Sequence, residues 1–265
     1  MGSQKQSVLM VLLKWLGIVM AVVALASPMM TKEYSSSKRD GRDIVLIIDS
    51  SESMKQARFD AKDMQKNKFK VVQEVASDFV ASREDDRIGL VTFADVAFVA
   101  SPLTFEKKFL QQIIIMQKLG VAGKRTAIND ALAQTYNLLS HSNAKSKVAI
   151  LLTDGMDNMS KVPLSEIQSL IQKSSVRLYT IGIGSSRDYD GAYLKALATA
   201  GNGQAFGASN AQMLSEIYAK IDILEASHIE DKLYIQESLL YIYPLFIAIL
   251  SFLFFIYLRN MRGLS

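Results

Sequence analysis

The chain contains no cysteine. Disulfides, thiolate metal sites and cysteine nucleophiles are therefore excluded together, while the compartment stays open. Histidine is almost missing as well: His141 and His228 lie far apart, lack metal-ligand spacing and are expected at the surface. No long basic block or RNA-binding aromatic motif occurs. The 30 basic and 26 acidic residues, for a net charge of +4, are interspersed, which argues against a nucleic-acid partner. Internal repeats and low-complexity tracts are missing too. So is a glycine-rich turn after the first predicted strand, where the chain reads Ser50-Ser51-Glu52-Ser53; Gly182-Ile183-Gly184 comes late, with Arg187 in place of a third glycine. A dinucleotide site thus has no support.

What is present is enough apolar material, 49% of 265 residues, for one full-sized domain with a core. The run Asp43-Ile44-Val45-Leu46-Ile47-Ile48 reads as a buried strand, as do Ile88 to Phe93, Val148 to Thr153 and Val176 to Ile183. Val96 to Ala100 is expected to form an edge hairpin. Helices are expected around Val72, Val75, Ala76, Phe79 and Val80, then over Phe109–Leu119, Thr126–Leu139, Leu164–Gln172 and Ala211–Leu224. This alternation predicts an α/β fold: a Rossmann-like, doubly wound, mostly parallel sheet with one antiparallel edge strand and helices on both faces.

The chemistry concentrates where strands end. Asp49, Ser51 and Ser53 alternate directly after the first strand, Thr126 stands at a helix start after Gly123-Lys124-Arg125, and Asp154-Gly155 follows the strand ending at Thr153. Open α/β sheets bind ligands at this edge. The five side chains offer only oxygen, which suits Mg2+ first, with Mn2+ or Ca2+ as alternatives. Each residue alone is an ordinary cap or turn residue. Their ordered set is what carries the metal reading.

That ordered set resembles the metal-ion-dependent adhesion site of von Willebrand factor type A (VWA) domains. The phrases Asp86-Arg87-Ile88-Gly89-Leu90-Val91-Thr92-Phe93, Ser101-Pro102-Leu103-Thr104, Ser146-Lys147-Val148 and Leu178-Tyr179-Thr180-Ile181-Gly182-Ile183-Gly184 are similar to the bacterial membrane-anchored Bat proteins of the aerotolerance operon type. The resemblance implies that the serines and the threonine bind the ion directly and the aspartates directly or through water. It also implies an open position for an acidic side chain of a partner protein. As partners it implies other VWA or Bat proteins and a MoxR-type AAA+ ATPase, in envelope complex assembly or stress tolerance. Glu52 departs from the family, many of whose members carry glycine there. Glu52, Lys124, Arg125 and Asp157 form the expected partner-binding rim.

The ends point to a membrane. Leu239 to Leu258 is uncharged and long enough to span the hydrocarbon, with Tyr241, Tyr243 and Tyr257 near its ends and Arg259 and Arg262 beyond. Pro244 is expected to kink it. Val8 to Met30 is apolar apart from Lys14 and reads as an anchor or as a signal segment with Ala24-Leu25-Ala26 as cleavage pattern. The expected organisation is an N-terminal segment over 1–30, a linker over 31–42, the VWA domain over 43–224, a connector over 225–238, a transmembrane helix over 239–258 and a basic tail over 259–265. Lys5, Lys14, Arg259 and Arg262 favour cytoplasmic ends and an outward, extracytoplasmic domain on the bacterial inner membrane, whereas Lys32, Lys38, Arg39 and Arg42 oppose it.

The function expected is a membrane-tethered, metal-dependent protein-binding module rather than an enzyme, since no nucleophile–base pair accompanies the oxygen cluster. Two alternatives differ in class. One is a membrane scaffold in which the metal only stabilises the fold. The other is a metal-dependent hydrolase with Asp49 as nucleophile, disfavoured because Ser51 stands where such enzymes need a second aspartate.

Overall fold

The computed structural model describes all residues except 1, 27–28, 35–40, 61–62, 227–233 and 264–265. Helix α1 (Gly2–Leu25) and strand β1 (Met29–Tyr34) open the chain. There follow β2 (Asp43–Asp49), a 3₁₀ turn (Glu52–Lys55), α2 (Lys68–Ala81), β3 (Arg87–Phe93), β4 (Ala97–Thr104) and α3 (Lys107–Met116). Next come α4 (Ile128–Ser140), β5 (Lys147–Thr153), α5 (Leu164–Lys173), β6 (Val176–Ile183), α6 (Gly191–Ala200), β7 (Ala205–Ala208) and α7 (Ala211–Ala226). Strand β8 (Tyr234–Leu239) and helix α8 (Ile242–Gly263) complete it. The chain divides into two units, residues 38–230 and the paired ends 1–37 with 231–265.

In the central unit, six strands run in the order β4-β3-β2-β5-β6-β7, all neighbours parallel except β3 and β4. Strand β2 is buried along its whole length, as expected of a near-continuous aliphatic run covered on both faces. One face packs Ile44, Leu46 and Ile48 against residues of α2, α3 and α7; the other packs Val45 and Ile47 against α4, α5 and α6. Strand order reverses between β2 and β5. That switch point opens a crevice at the C-terminal strand ends, and Asp49 and Asp154 flank it.

Several boundaries and elements depart from the sequence expectation. Helix α3 stops at Met116, short of Leu119, because Gln73 of α2 donates to the carbonyls of Ile114 (2.5 Å) and Gln117 (3.0 Å) and closes that end. Helix α6 and the short edge strand β7 were not anticipated. At the opposite pole from the switch point, Arg87 and Ser142 both bond the buried Asp43. Asp222 and Glu225 of α7 are held there too, by Arg83 (2.7 Å) and by Arg177 (2.8 Å) with Tyr179 (2.6 Å).

In the terminal unit, β1 and β8 pair antiparallel, Met29 opposite Leu239 and Tyr34 opposite Tyr234. The expected linker and connector are thus partly strand; their residues 35–40 and 227–233, His228 among them, lie outside the described residues, as do 264–265 of the basic tail. Helix α8 starts at Ile242 rather than Leu239, since Leu239 belongs to β8. Pro244 falls in the first turn of α8, where its missing N–H has no helical partner to lose, so it starts the helix instead of kinking it. Gly17 of α1 leaves room for the Phe252 ring, to which an added Cβ would approach 3.0 Å, and the Ser251 hydroxyl donates to the Leu13 carbonyl at 2.7 Å. Among the described residues, Ile242–Met261 is long and apolar enough to cross a membrane, while the apolar stretch of α1, Val11–Leu25, is shorter.

Candidate metal centre

Asp49 is the last residue of β2 and has no exposed surface. One carboxylate oxygen accepts the Ser51 N–H at 2.8 Å, an Asx turn that folds the chain back after the strand. The other accepts the hydroxyl of Thr153, the last residue of β5, at 2.5 Å. Both partners are neutral. Burial therefore dominates and pushes the Asp49 carboxyl up to about 6, against the bonds from Thr153 and Ser51. A buried carboxylate with no cationic bond partner is a place where a cation lowers the free energy.

The other expected ligands converge on it. Ser51 and Ser53 share a hydrogen bond of 2.9 Å between their hydroxyls, and Ser53 donates to Oδ1 of Asp154 at 2.5 Å. Thr126, 3% exposed, meets the same place from the start of α4: a Cβ added at Gly155 would lie 2.8 Å from its Oγ1. Glycine is what lets the Asp154 loop close against the threonine. The backbone of Thr126 donates to Asn158 Oδ1 at 3.0 Å and accepts from the N–H of Asn158 and Met159. Asp95, in the β3–β4 turn, holds the preceding residues by accepting the N–H groups of Lys124 (3.0 Å) and Arg125 (2.5 Å). Glu52 N–H donates to the Lys124 carbonyl at 2.9 Å, so the three loops form one bonded unit.

The expected rim divides. Glu52 is exposed and bonds Lys55 at 2.9 Å; that lysine, with Lys124 nearby, holds its carboxyl below the ordinary value. Lys124 and Arg125 are exposed, Arg125 standing 3.7 Å from Asp95. Asp157 is half-buried and accepts the Ile128 N–H at 3.2 Å and the Ser160 hydroxyl at 2.7 Å, so that it also caps α4. His141 is exposed at the end of α4, remote in the fold from these loops.

Lys68 escaped the sequence reading. The first residue of α2 and 4% exposed, it donates to Oδ2 of Asp154 at 3.0 Å, to Asp188 at 3.2 Å and to the Gln56 side chain at 2.8 Å. Thr153, read only as a strand residue, and Asp95 were missed as well.

Two carboxylates and three hydroxyls, all oxygen and nearly all buried, suit a hard divalent cation. Among the described residues no group of three His, Cys, Asp or Glu forms a metal cluster, so the hydroxyls are essential to this donor set.

Comparison with known proteins gives the family and agrees with the fold. The chain belongs to the von Willebrand factor type A domain family, whose model matches residues 43–220. An uncharacterized protein of Borreliella burgdorferi (strain ATCC 35210) is 32% identical over 179 residues, 66% of this chain and 50% of that protein. The chain thus spans about half the length of that curated relative. Similar folds are seen in BatB from Bacteroides thetaiotaomicron (TM-score 0.57, 16% identity, 70% of this chain and 99% of that one). They are also seen in proximal thread matrix protein 1 of the mussel byssus with a zinc-occupied adhesion-site motif (TM-score 0.58, 24% identity, 74% and 48%). An aerotolerance-related membrane protein from Bacteroides fragilis NCTC 9343 matches similarly (TM-score 0.55, 17% identity, 68% and 97%).

Proposed function

We propose that this chain is a membrane-tethered module that binds an acidic side chain of a protein partner through a divalent cation held by Asp49, Ser51, Ser53, Thr126 and Asp154. The observation that carries it is the fully buried Asp49 carboxylate, bonded only to neutral groups, at the head of a hydroxyl–carboxylate chain reaching the crevice. When bound, the cation supplies an electrophilic position to which an external carboxylate oxygen adds. This chain's own residues fix the rest: Asp95 and Asn158 hold the Thr126 loop, Gly155 admits it, and Lys124 offers positive charge at the mouth. Val96, Val121 and Met156, on the same loops, are more than half exposed, which fits a partner whose acidic residue is flanked by apolar side chains.

Mg2+ is the cation we favour, on ligand hardness and availability; the zinc in the mussel relative shows what that protein's motif accepts. Helix α8 supplies the tether, and Lys5, Lys14, Arg259 and Arg262 favour a domain outside the bacterial inner membrane, against the pull of Lys32, Lys38, Arg39 and Arg42. The Bat likeness suggests other VWA proteins and a MoxR-type ATPase as associates, the latter reached indirectly or through the cytoplasmic ends. Titration calorimetry of Mg2+, Mn2+ and Ca2+ into the full chain in detergent tests the site. Saturable binding abolished by Asp49→Ala is expected; binding unchanged in that variant would refute the assignment.

A further inference from the structure

Lys68 occupies a position that costs free energy twice. Lysine is seldom buried unless paired, and a cation at the first residue of a helix opposes the helix dipole. The fold nonetheless makes room for it. Gly184 has φ +109, and a Cβ there would lie 2.2 Å from Asp188 Oδ2 and 2.9 Å from Lys68 Nζ, so only glycine lets the pair seat against the β6 end. The excursion that leaves at Gln56 and returns at Lys68 is closed at its base: Lys68 N–H donates to the Gln56 carbonyl at 2.8 Å, Ala57 bridges Asn67, and the Gln56 side chain accepts from Lys68 Nζ. A clamp for this excursion is complete with Gln56 and Asp188. The third bond goes to Asp154, whose side chain is fully buried and whose other oxygen accepts from Ser53.

We propose that Lys68 is a positioning and affinity-setting residue of the cation site: its ammonium holds Asp154 with Oδ1 toward Ser53 and offsets that carboxylate's charge, so the chain alone binds a divalent cation weakly and the partner's carboxylate completes the site. The inference rests on the function proposed above. With Lys68 in place the pair of Asp49 and Asp154 has part of its negative charge offset, and a cation bound there retains more attraction for an incoming acid. Cation binding and acid binding then reinforce each other, as linkage requires.

The test compares Mg2+ affinity of the full chain in detergent for wild type, Lys68→Met and Lys68→Arg, with and without acetate as a carboxylate probe. Folding is followed by circular dichroism. Lys68→Met removes the charge and keeps an unbranched stem; it is expected to bind Mg2+ at least about tenfold tighter, a change of about 1.4 kcal/mol. It should also lose most of the acetate-dependent gain. Lys68→Arg, which keeps the charge, should stay near wild type in both readouts. A folded Lys68→Met with equal or weaker Mg2+ affinity overturns the inference and leaves Lys68 a structural clamp, while the proposed function stands. Should Lys68→Met not fold, Asp188→Asn serves in its place: it leaves the Lys68 charge less compensated, so Mg2+ affinity should fall at least about threefold. Unchanged affinity there overturns the inference equally. Absence of saturable Mg2+ binding in both wild type and Lys68→Met overturns the proposed function and this inference together.

Discussion

Asp49 concentrates the energetics of the site. Its carboxyl moves from an ordinary 3.8 to about 6, with burial as the first cause. This corresponds to about 3 kcal/mol of differential stability. The folded state holds its proton more tightly than the unfolded chain, so the cost is fully present above pH 6 and is relieved as pH falls toward 4. We expect the metal-free protein to gain thermal stability between pH 7 and pH 5, measured by calorimetry, and Asp49→Asn to lose that gain. Saturating Mg2+ should remove it in the wild type, because a cation compensates the ionised form; at 100 times its Kd it adds about 2.7 kcal/mol. Gly155→Ala provides a second check. Its methyl group collides with the Thr126 hydroxyl, and Mg2+ affinity by calorimetry should fall about tenfold or more while circular dichroism stays native.

The residue-scale part of the site was legible only where spacing carried it. Asp49, Ser51, Ser53, Thr126 and Asp154 stand in an order that a reader can match. Lys68, Asp95 and Thr153 act through contacts with residues 86, 30 and 104 positions away, and nothing local marks them. Asp157 shows the converse: its nearness to Asp154 suggested the rim, but the N–H of Ile128, needing an acceptor at the start of α4, claims it.

At the scale of elements, period and length decided what could be read. The central strands are uninterrupted aliphatic runs and were plain. Helix α6 carried a usable signal, Leu194, Leu197 and Ala198 at helical spacing after Asp190, which accepts the Tyr193 N–H at 2.9 Å as a cap. Strand β7 has four residues, too few to show alternation, and exists through its pairing with β6. The β1–β8 ribbon joins segments some two hundred residues apart, which no window along the chain can see. Two substitutions test how elements are held. Gln73→Ala uncaps α3, and Arg177→Ala leaves the buried Glu225 of α7 short of its charged partner; each should cost about 1–3 kcal/mol in denaturant unfolding, with the metal affinity unchanged.

For the whole molecule, the sheet's switch point and the ion-paired pole lie at opposite ends of the strands. Strand β2 runs from Asp43 at one to Asp49 at the other, about 20 Å at the usual strand rise. Within the central unit, the proposed cation site thus opens at the end of the sheet opposite the ion-paired pole. Protease added to intact spheroplasts should cleave the domain if it faces outward; protection until lysis would reverse the topology proposed here.

The assignment of the cation site is tested most directly by anomalous diffraction from crystals of the full chain grown with manganese. The account predicts an anomalous peak among the oxygens of Asp49, Ser51, Ser53, Thr126 and Asp154. An ordered loop set with no peak there, or a peak at another cluster, would contradict it.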